Sequence, residues 1–264
     1  MIHPTAIIDS LARVGADVSI GPHCIIGAEV EIGDGSWLQH HVTVMGPTKI
    51  GKKNRFYAYC SIGQQTQDLK YSAEPTGLEI GDDNTFREFC SVHRATSAGD
   101  KTIIGSHNTF LCYVHIAHDC VVGNHVIFSN NGTLAGHVLV GDHAIIGGLS
   151  AVHQFCRIGT RSIIGGCSKI VQDVPPYCTA DGNPARVRGL NIVGLKRAGF
   201  TRDQMRALRD AFRKIYRSGL NNAQAVEELR AQELSAEAAV FTDFVAGTKR
   251  GIIAGGKGGV DEEE

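Results

Sequence analysis

The sequence is short of several residue types, and each shortage excludes a class of protein. Among its 264 residues there are one Trp and three Met, whereas there are 32 Gly. This combination favours a regular, turn-rich β architecture over a helical core. No apolar run approaches the roughly 18 residues that span a bilayer, so we expect no stable membrane insertion. The formal net charge is only −1, which by itself argues against a nucleic-acid partner.

The N-terminal residues 1–4 also lack a basic segment followed by an apolar stretch, so we expect no secretion signal. We therefore expect a cytoplasmic protein whose eight Cys are reduced. Hydrophobic residues make up 42% of the chain and charged residues 20%. This globular composition excludes a disordered or fibrous chain.

A six-residue repeat is the main feature of the sequence. Steps of six from Ile2 to Ile170 give 29 positions, of which 26 hold an aliphatic residue or Phe. Gly follows the aliphatic residue at 13 of these positions, and we interpret it as relieving the backbone at a tight corner. Five of the eight Cys lie two positions before an aliphatic residue, and we expect them in one stacked interior column as small hydrophobes.

Each six-residue unit predicts one short strand and one corner. Three units close a triangular coil of 18 residues, and the coils stack as parallel strands about 4.8 Å apart. The pattern therefore predicts a mainly β fold, a left-handed parallel β-helix of hexapeptide repeats, over residues 1–185. The register fails at Asp68, Glu74 and Ala98, so we expect loop insertions near 64–79 and 94–102, where function commonly lies.

Helical patterns replace the repeat in the C-terminal part of the chain. A capping-box pattern at 201–204 opens one helix with four apolar residues on one face, Met205, Leu208, Phe212 and Ile215. Asn222 is the candidate cap of a second helix, and a third helix is expected to carry Ala239, Val240, Phe244 and Val245. We expect a small C-terminal α-helical domain over 186–247 and a disordered tail over 248–264.

Most of the 12 His fall on corners, but the segment 115–120 (HIAHDC) differs because Ala replaces the usual Gly. One coil beyond His118 lies Gly136, followed by His137, and a second coil reaches Gln154. We therefore expect one column at an edge of the solenoid, with the His118 imidazole close to the Gly136 amide. A base that removes a hydroxyl proton, beside an amide that stabilises an oxyanion, is what acyl transfer from a thioester requires.

Two other features of the candidate site leave alternatives open. Asp119 either orients the imidazole of His118 or is a structural or solvated carboxylate. His115 and His118 have the spacing of a zinc site, but no acid or thiol near them has ligand-like spacing, so we expect no metal.

The segment from 186 to 217 is strongly basic. It contains ten basic residues and two acidic ones, which indicates an acidic partner. Few aromatic residues accompany the basic ones, so we expect that this partner is not a nucleic acid.

Nine short motifs carry a resemblance to a known family: QDLKYSAEPT (67–76), SVHRAT (91–96), HIAHDC (115–120), TLAGHV (133–138), AVHQFC (151–156), GGCS (165–168), QDVPPY (172–177), GLNIVGLKRAGF (189–200) and YRSG (216–219). Over about residues 2–251 the sequence resembles the UDP-N-acetylglucosamine O-acyltransferases, the first enzymes of lipid A synthesis. Together the nine motifs are highly specific, whereas the hexapeptide pattern alone indicates only a solenoid transferase.

The resemblance implies an acyltransferase that moves an (R)-3-hydroxyacyl chain from acyl carrier protein, an acidic protein, to the 3-hydroxyl of UDP-N-acetylglucosamine. It also implies a homotrimer with the active site between subunits, and no cofactor. His118 would be the general base and Gly136 the oxyanion amide, with Asp119 beside the base. The implied substrate-binding residues are Asp68, Lys70, His93, His115, His137, Gln154, Gly166, Asn191 and Arg197.

The resemblance places Gly166 beside the methyl end of the acyl chain, where the absence of a side chain leaves the groove open. Each buried CH₂ contributes about 0.8 kcal/mol, so two more carbons favour a longer donor by roughly tenfold. We therefore expect a preference for a donor of around C14 over one of around C10. Alternatively, Gly166 merely eases a corner, as other repeat glycines do.

Two positions depart from the family pattern. Val193 lies where members often carry an acid, and Ala198 follows Arg197 where a second Arg is common. Contacts to the nucleotide and the carrier are therefore expected to differ in detail. The alternatives are a coenzyme A-dependent acetyltransferase of the same fold, acylation of a 3-amino UDP-sugar, a γ-type carbonic anhydrase with zinc, and a non-catalytic binding solenoid.

Overall fold

The computed structural model describes residues 1–256, and it confirms a mainly β fold, a left-handed parallel β-helix followed by helices. The first sheet contains β1 (Ile7–Ile8), β4 (Ile25–Ile26), β7 (Thr43–Val44), β10 (Ser61–Gln64), β13 (Ser91–His93), β16 (His115–Ile116), β19 (Thr133–Leu134), β22 (Ala151–Val152) and β25 (Lys169–Ile170). The second sheet contains β2 (Arg13–Val14), β5 (Val30–Ile32), β8 (Thr48–Ile50), β11 (Gly77–Ile80), β14 (Lys101–Ile104), β17 (Val121–Val122), β20 (Leu139–Val140) and β23 (Arg157–Ile158). The third sheet contains β3 (Ser19–Ile20), β6 (Trp37–Leu38), β9 (Arg55–Phe56), β12 (Thr85–Phe86), β15 (Thr109–Phe110), β18 (Ile127–Phe128), β21 (Ile145–Ile146), β24 (Ile163–Ile164), β26 (Cys178–Gly182) and β27 (Ala185–Leu190).

The aliphatic register of the sequence forms the core of the solenoid. Most strands are two residues long, and the second residue of each points inward and is buried from β3 onward. In the third sheet these inward positions stack four rings, with centroids 4.9, 4.7 and 5.4 Å apart, from Phe56 through Phe86 and Phe110 to Phe128. No single coil could bury this surface alone, so stacking stabilises the fold.

Three edges separate the sheets, and they are named here by the chain direction. The first edge joins the first sheet to the second, the second edge joins the second to the third, and the third edge joins the third to the first. The left-handed backbone of each corner falls three residues after the aliphatic position, for example at His107 (φ +61°), Asp119 (φ +60°) and His137 (φ +60°).

The interpretation of the repeat glycines was wrong in its mechanism. Except for Gly63, the glycines directly after the aliphatic residue do not adopt a positive φ. They are needed because the next coil passes very close: a Cβ on Gly33 would lie 2.5 Å from the Gly51 carbonyl oxygen. Glycine here permits close approach of two backbones, whereas residues of many types supply the left-handed turn.

The five repeat cysteines are buried, but they do not form one column. Cys24, Cys60 and Cys90 lie at the third edge, whereas Cys120 and Cys156 lie at the first. The expectation of a single column was therefore wrong, because the same hexapeptide position recurs at all three edges. All eight thiols are free, and burial raises the pKa of Cys120 to about 12 and that of Cys156 to about 11.

Two long loops leave the coil, and both do so at the first edge. Residues 65–76 connect β10 to β11, and residues 94–100 connect β13 to β14. The strands on either side stay in register, since β10 pairs with β13 and β11 with β14. The loops therefore cover one edge without interrupting the stack.

The C-terminal part begins later than the sequence indicated. Residues 186–190 belong to β27, which pairs antiparallel with β26 and extends the third sheet past the expected boundary at 185. The helices are α1 (Ile192–Arg197), α2 (Arg202–Arg217), α3 (Asn222–Arg230) and α4 (Ala236–Ala246). None of them has both the length and the apolar character that crossing a membrane would require.

The helix predictions were correct for α2 and partly wrong for α3 and α4. Thr201 and Gln204 form the capping box, and the four predicted apolar residues of α2 are buried. Asn221 rather than Asn222 caps α3, because the Asn221 side chain accepts a hydrogen bond from the backbone amide of Gln224 at position N3. Helix α4 starts after Ser235, so it buries Ala238, Phe241, Thr242 and Val245 and leaves Val240 exposed.

The tail is ordered as far as residue 256, contrary to expectation. Ile252 forms a bridge with Asp173, and Gly255 forms one with Val187. Ile253 is buried, so apolar burial and strand pairing hold this segment despite its glycines. Residues 257–264, the rest of the predicted disordered tail, lie outside the described part of the chain.

Candidate active site

The corner after β16 carries a paired imidazole and carboxylate. The backbone of Asp119 adopts the left-handed conformation, so its side chain turns back toward His118. Asp119 Oδ2 lies 2.7 Å from His118 Nδ1. An ionised carboxylate only accepts hydrogen bonds, so Nδ1 holds the proton and Nε2 keeps its lone pair. The geometry favours the orienting role of Asp119 over a solvated one.

The Asp119 side chain is largely enclosed but stays ionised. Burial would raise the pKa of its carboxyl, yet hydrogen bonds from His118 and Thr96 lower that pKa overall. Its side chain is only 8% exposed, so the charge lies in a region of low dielectric and acts strongly on the imidazole.

Gly136 lies one coil beyond His118, as the 18-residue spacing predicts. Strands β16 and β19 pair His115 with Thr133 and Ile116 with Leu134, which brings the two corners together. A Cβ on Gly136 would lie 2.4 Å from Cε1 and 2.7 Å from Nε2 of His118. Glycine is therefore the only residue that lets the imidazole pack against this backbone.

The Gly136 amide has no hydrogen-bond acceptor within residues 1–256. At the second edge the equivalent amides are bonded by side chains: Lys52 donates to Asp82 (2.6 Å) and Asn124 donates to Asp142 (2.7 Å). The Gly136 N–H is thus a free donor in the backbone segment against which the His118 imidazole packs. An imidazole and an unbonded backbone amide therefore lie at the same edge of the solenoid.

His137 and Asp68 complete the front of this corner. The rings of His137 and His118 meet edge to face with centroids 5.3 Å apart, and His137 Nε2 is 3.6 Å from Asp119 Oδ2. His137 also stacks on Phe155 at 4.6 Å. The loop 65–76 brings Asp68 to the same place, although it lies far from both His in the chain.

Asp68, His118 and His137 could hold a metal ion, since one ligand atom from each lies within 4.8 Å of the others. Two imidazoles and one carboxylate are the ligands of some catalytic zinc sites. The sequence argument against a metal considered only neighbouring residues, and it missed Asp68 because that acid arrives from a loop.

His93 and His115 are neutral members of the site. His93 Nδ1 lies 2.8 Å from the Gln65 carbonyl, and His115 Nδ1 lies 2.8 Å from the Ser91 hydroxyl. Burial, with smaller contributions from His93 and His118, lowers the pKa of His115 to about 4. Burial also lowers the pKa of His93, so both rings are uncharged hydrogen-bonding groups near neutral pH.

The remaining predicted residues lie around this centre or away from it. Gln154 is exposed one coil beyond Gly136, and Lys70 is exposed in the loop, where its amide donates to Asp68 Oδ1 (2.9 Å). Asn191 is buried: it caps α1 and donates to the Arg161 carbonyl (3.0 Å). Arg197 is exposed in the last turn of α1.

Gly166 does not lie at the His118 edge. It belongs to the third edge, and three strand spacings of about 4.8 Å along the stack separate its coil from that of His118. Its φ is not positive, and a Cβ there would meet only the Gly148 carbonyl, at 3.4 Å. Neither strain nor lack of space therefore demands glycine, which disfavours the view that Gly166 merely eases a corner.

Sequence reasoning missed three threonines that contact the His118–Asp119 pair. Thr96 Oγ1 is 3.0 Å from His118 Nδ1, Thr66 Oγ1 is 2.9 Å from Thr96 Oγ1, and Thr102 Oγ1 accepts from the Asp119 amide at 2.8 Å. Two of these lie in motifs that carry the family resemblance, or border them. The only signal for them was membership of the interrupted stretches of the repeat.

Known proteins share both the sequence and the fold. The family model for Udp N-acetylglucosamine O-acyltransferase, domain 2, matches residues 173–253. The structure of LpxA from Acinetobacter baumannii is 48% identical with a TM-score of 0.93, over 96% of this chain and 99% of that one. The UDP-N-acetylglucosamine O-acyltransferase of Moraxella catarrhalis is 46% identical with a TM-score of 0.92, over 96% and 99%.

A more distant relative agrees over the full length. The UDP-N-acetylglucosamine acyltransferase of Francisella novicida is 35% identical with a TM-score of 0.93, and the match covers 100% of both chains. Similarity of this extent covers the solenoid, both loops and the helices together. The chain therefore belongs to the family of UDP-N-acetylglucosamine O-acyltransferases.

Proposed function

We propose that the enzyme transfers an (R)-3-hydroxyacyl chain from acyl carrier protein to the 3-hydroxyl of UDP-N-acetylglucosamine, the first step of lipid A synthesis. The observation that carries the proposal is the free Gly136 amide beside the unprotonated Nε2 of His118, whose Nδ1 proton is held by Asp119. Family membership supports the choice of acceptor.

The reaction needs a base and an oxyanion donor. His118 Nε2 removes the proton of the 3-hydroxyl as its oxygen bonds to the thioester carbonyl carbon. The carbonyl electron pair moves to oxygen, and the Gly136 N–H stabilises the resulting oxyanion. The C–S bond then breaks as the carbonyl re-forms, and the leaving thiolate takes the proton back from His118. Asp119 stabilises the imidazolium between the two proton transfers.

The neutral histidines and the loop acid suit a sugar acceptor. Uncharged His93 and His115 offer hydrogen bonds without a fixed charge, and Asp68 offers an acceptor for sugar hydroxyls. His137 packs against the base, and we assign the exposed side chains of Lys70 and Gln154 to contacts with the acceptor. Arg197 is available to a nucleotide, whereas Asn191 acts on the same region by holding the start of α1.

The exposed basic residues of α2 suit an acidic donor protein. Arg202, Arg206 and Arg213 are exposed along the helix. Acyl carrier protein is acidic, so this surface attracts it and raises the rate of encounter. We place the reaction in the cytoplasm, where the donor is made.

A homotrimer explains two observations: an exposed aromatic ridge on the third edge, and the location of Gly166 on a different edge from His118. The third edge exposes stacked rings of Tyr59, Phe89 and Tyr113, which are 46%, 44% and 53% exposed. Such a ridge is typical of a contact surface. If the third edge of one copy faces the first edge of the next, Gly166 joins a groove that starts at His118. A native mass of one chain only would contradict this arrangement.

The proposed reaction uses no cofactor, because the His118 side chain supplies the base and the Gly136 backbone amide supplies the oxyanion donor. Exhaustive treatment with EDTA is therefore expected to leave turnover unchanged, even though Asp68, His118 and His137 could bind a metal. Loss of acyl transfer that added zinc restores would show that a metal bound at these residues takes part in the reaction.

Product analysis tests the proposal directly. Purified enzyme is incubated with UDP-N-acetylglucosamine and a panel of 3-hydroxyacyl carrier proteins, and the product is identified by mass spectrometry. Parallel reactions contain the 3-amino UDP-sugar as acceptor or acetyl-coenzyme A as donor. An ester at the 3-position is expected; an amide product, or turnover with acetyl-coenzyme A alone, would overturn the proposal.

A further inference from the structure

The His118–Asp119 pair is held by groups outside its own corner. Thr96 contacts both members: its amide donates to Asp119 Oδ1 at 3.1 Å, and its hydroxyl oxygen lies 3.0 Å from His118 Nδ1. Because Nδ1 already carries its proton toward Asp119, the Thr96 oxygen is the acceptor in this contact. Thr96 therefore shares the Nδ1 proton with the carboxylate.

A second threonine ties this contact to the other loop. Thr66 Oγ1 lies 2.9 Å from Thr96 Oγ1, and Thr66 Oγ1 also accepts from the amide of Asp68 at 3.1 Å. Thr66 is only 6% exposed, so water competes little for its hydroxyl. The chain of contacts runs from Asp68 through Thr66 and Thr96 to the imidazole.

The strand that follows the loop 94–100 reaches the same pair. Thr102, which is fully buried in β14, accepts the Asp119 amide at 2.8 Å. Thr96 in this loop and Thr102 just after it are thus both bonded to the corner 117–120. Comparable loops are absent from the other two edges of residues 1–256, where corners connect strands directly.

We infer that Thr96 and Thr66 are positioning residues: they hold the His118 imidazole in the tautomer with Nε2 unprotonated, and they couple it to the loop that carries Asp68. The inference rests on the proposed function, since it assigns a purpose to the base of that reaction. Acceptor binding at Asp68 and proton removal at His118 then depend on one hydrogen-bonded chain.

Substitutions of the two threonines are expected to have different effects on kcat and KM. Thr96→Val keeps the shape and the amide bond to Asp119 but removes the acceptor, so kcat is expected to fall roughly tenfold with little change in KM for the UDP-sugar. Thr66→Val loosens the Asp68 loop as well, so KM for the UDP-sugar is expected to rise while kcat falls less. Thr96→Ser keeps the hydroxyl, so its kcat is expected to stay within about twofold of the wild-type value.

The experiment compares these variants with wild type and with Thr109→Val, a control in β15 on the third sheet. Steady-state kinetics are measured across pH, and circular dichroism verifies the fold. The acidic limb of the pH dependence of kcat/KM is expected to move in Thr96→Val and to stay unmoved in Thr109→Val.

Two outcomes would overturn the inference. One is a Thr96→Val enzyme with kcat within about twofold of wild type and an unmoved pH profile; the other is a Thr96→Ser enzyme as impaired as Thr96→Val, which would indicate packing rather than the hydroxyl. His118→Ala is assayed in parallel. If it is inactive while Thr96→Val is normal, only the positioning role fails; if His118→Ala is active, the proposed function itself fails.

Discussion

Two columns of histidines lie on different edges of the same solenoid. At the second edge, His107, His125 and His143 stack with centroids 4.9 and 4.8 Å apart and planes within 11° and 4°. All three are exposed and have a left-handed backbone conformation, and each occupies the third position after an aliphatic residue. They repeat one geometry from coil to coil.

At the first edge the histidine rings do not repeat this stacked arrangement. His118 occupies the second position after the aliphatic residue, meets His137 edge to face at 5.3 Å, and bonds to Asp119. The loops 65–76 and 94–100 cover this edge and bring Asp68, Thr66 and Thr96 against it. The hexapeptide position of His118, its adjacent carboxylate and its loop contacts distinguish it from the corner histidines of the second edge, and we propose that they make it the base. Stacking alone leaves it a surface residue.

The largest expected effect separates the two columns. His118→Ala removes the positioned base, so turnover is expected to fall by roughly 10²–10⁴ without loss of assembly. His143→Ala, the matched change at the second edge, is expected to leave turnover within about twofold, because no proposed step uses that ring. Initial rates of acyl transfer measure both, and similar losses in the two variants would contradict the distinction.

The next effect concerns Gly136. A methyl group there would lie 2.4 Å from the His118 ring, so Gly136→Ala is expected to displace the base and reduce kcat on the order of 10²-fold. Gly189→Ala, at a glycine with no atom within 4 Å of the added Cβ, is the control. An unimpaired Gly136→Ala enzyme would show that the two corners are less tightly packed than the geometry indicates.

Gly166 provides the third test. Gly166→Met is expected to shorten the groove and shift donor preference toward shorter chains, by roughly tenfold for two carbons. The wild-type enzyme is expected to prefer a donor of around C14 over one of around C10. Rates with a series of acyl carrier proteins measure the profile, and an active Met variant with an unchanged profile would remove Gly166 from the groove.

The fourth test uses pH and stability. The pKa of His115 is about 4 in the fold against an ordinary 6.5, so the unfolded chain binds a proton that the folded chain does not between these values. Stability is therefore expected to fall by up to about 3 kcal/mol as pH drops from 6.5 toward 4. His115→Gln is expected to flatten this dependence and His107→Gln to leave it; urea unfolding across pH measures both.

The smallest effect is expected at the basic helix. Raising ionic strength screens the attraction between α2 and the donor over a Debye length of about 8 Å at physiological salt, so KM for acyl carrier protein should rise. KM for the UDP-sugar serves as the internal control. A donor KM that is independent of salt would assign the basic surface to another purpose.

The sequence by itself determined the solenoid, its 18-residue coil and the meeting of His118 with Gly136. These depend on contacts between residues i and i+18, which a regular repeat sets by local spacing alone. The α2 capping box and buried face were predictable for the same reason, since they depend on residues within a few positions of one another.

Only the tertiary structure decided the features that leave the period. Thr66, Thr96 and Asp68 reach His118 from loops whose paths no repeat specifies, and the exposure of Val240 depends on which side of α4 packs against its neighbours. The repeat glycines were visible in the sequence, but their reason was not. A backbone passing 2.5 Å from a potential Cβ belongs to the next coil, and that distance exists only once the coils have stacked.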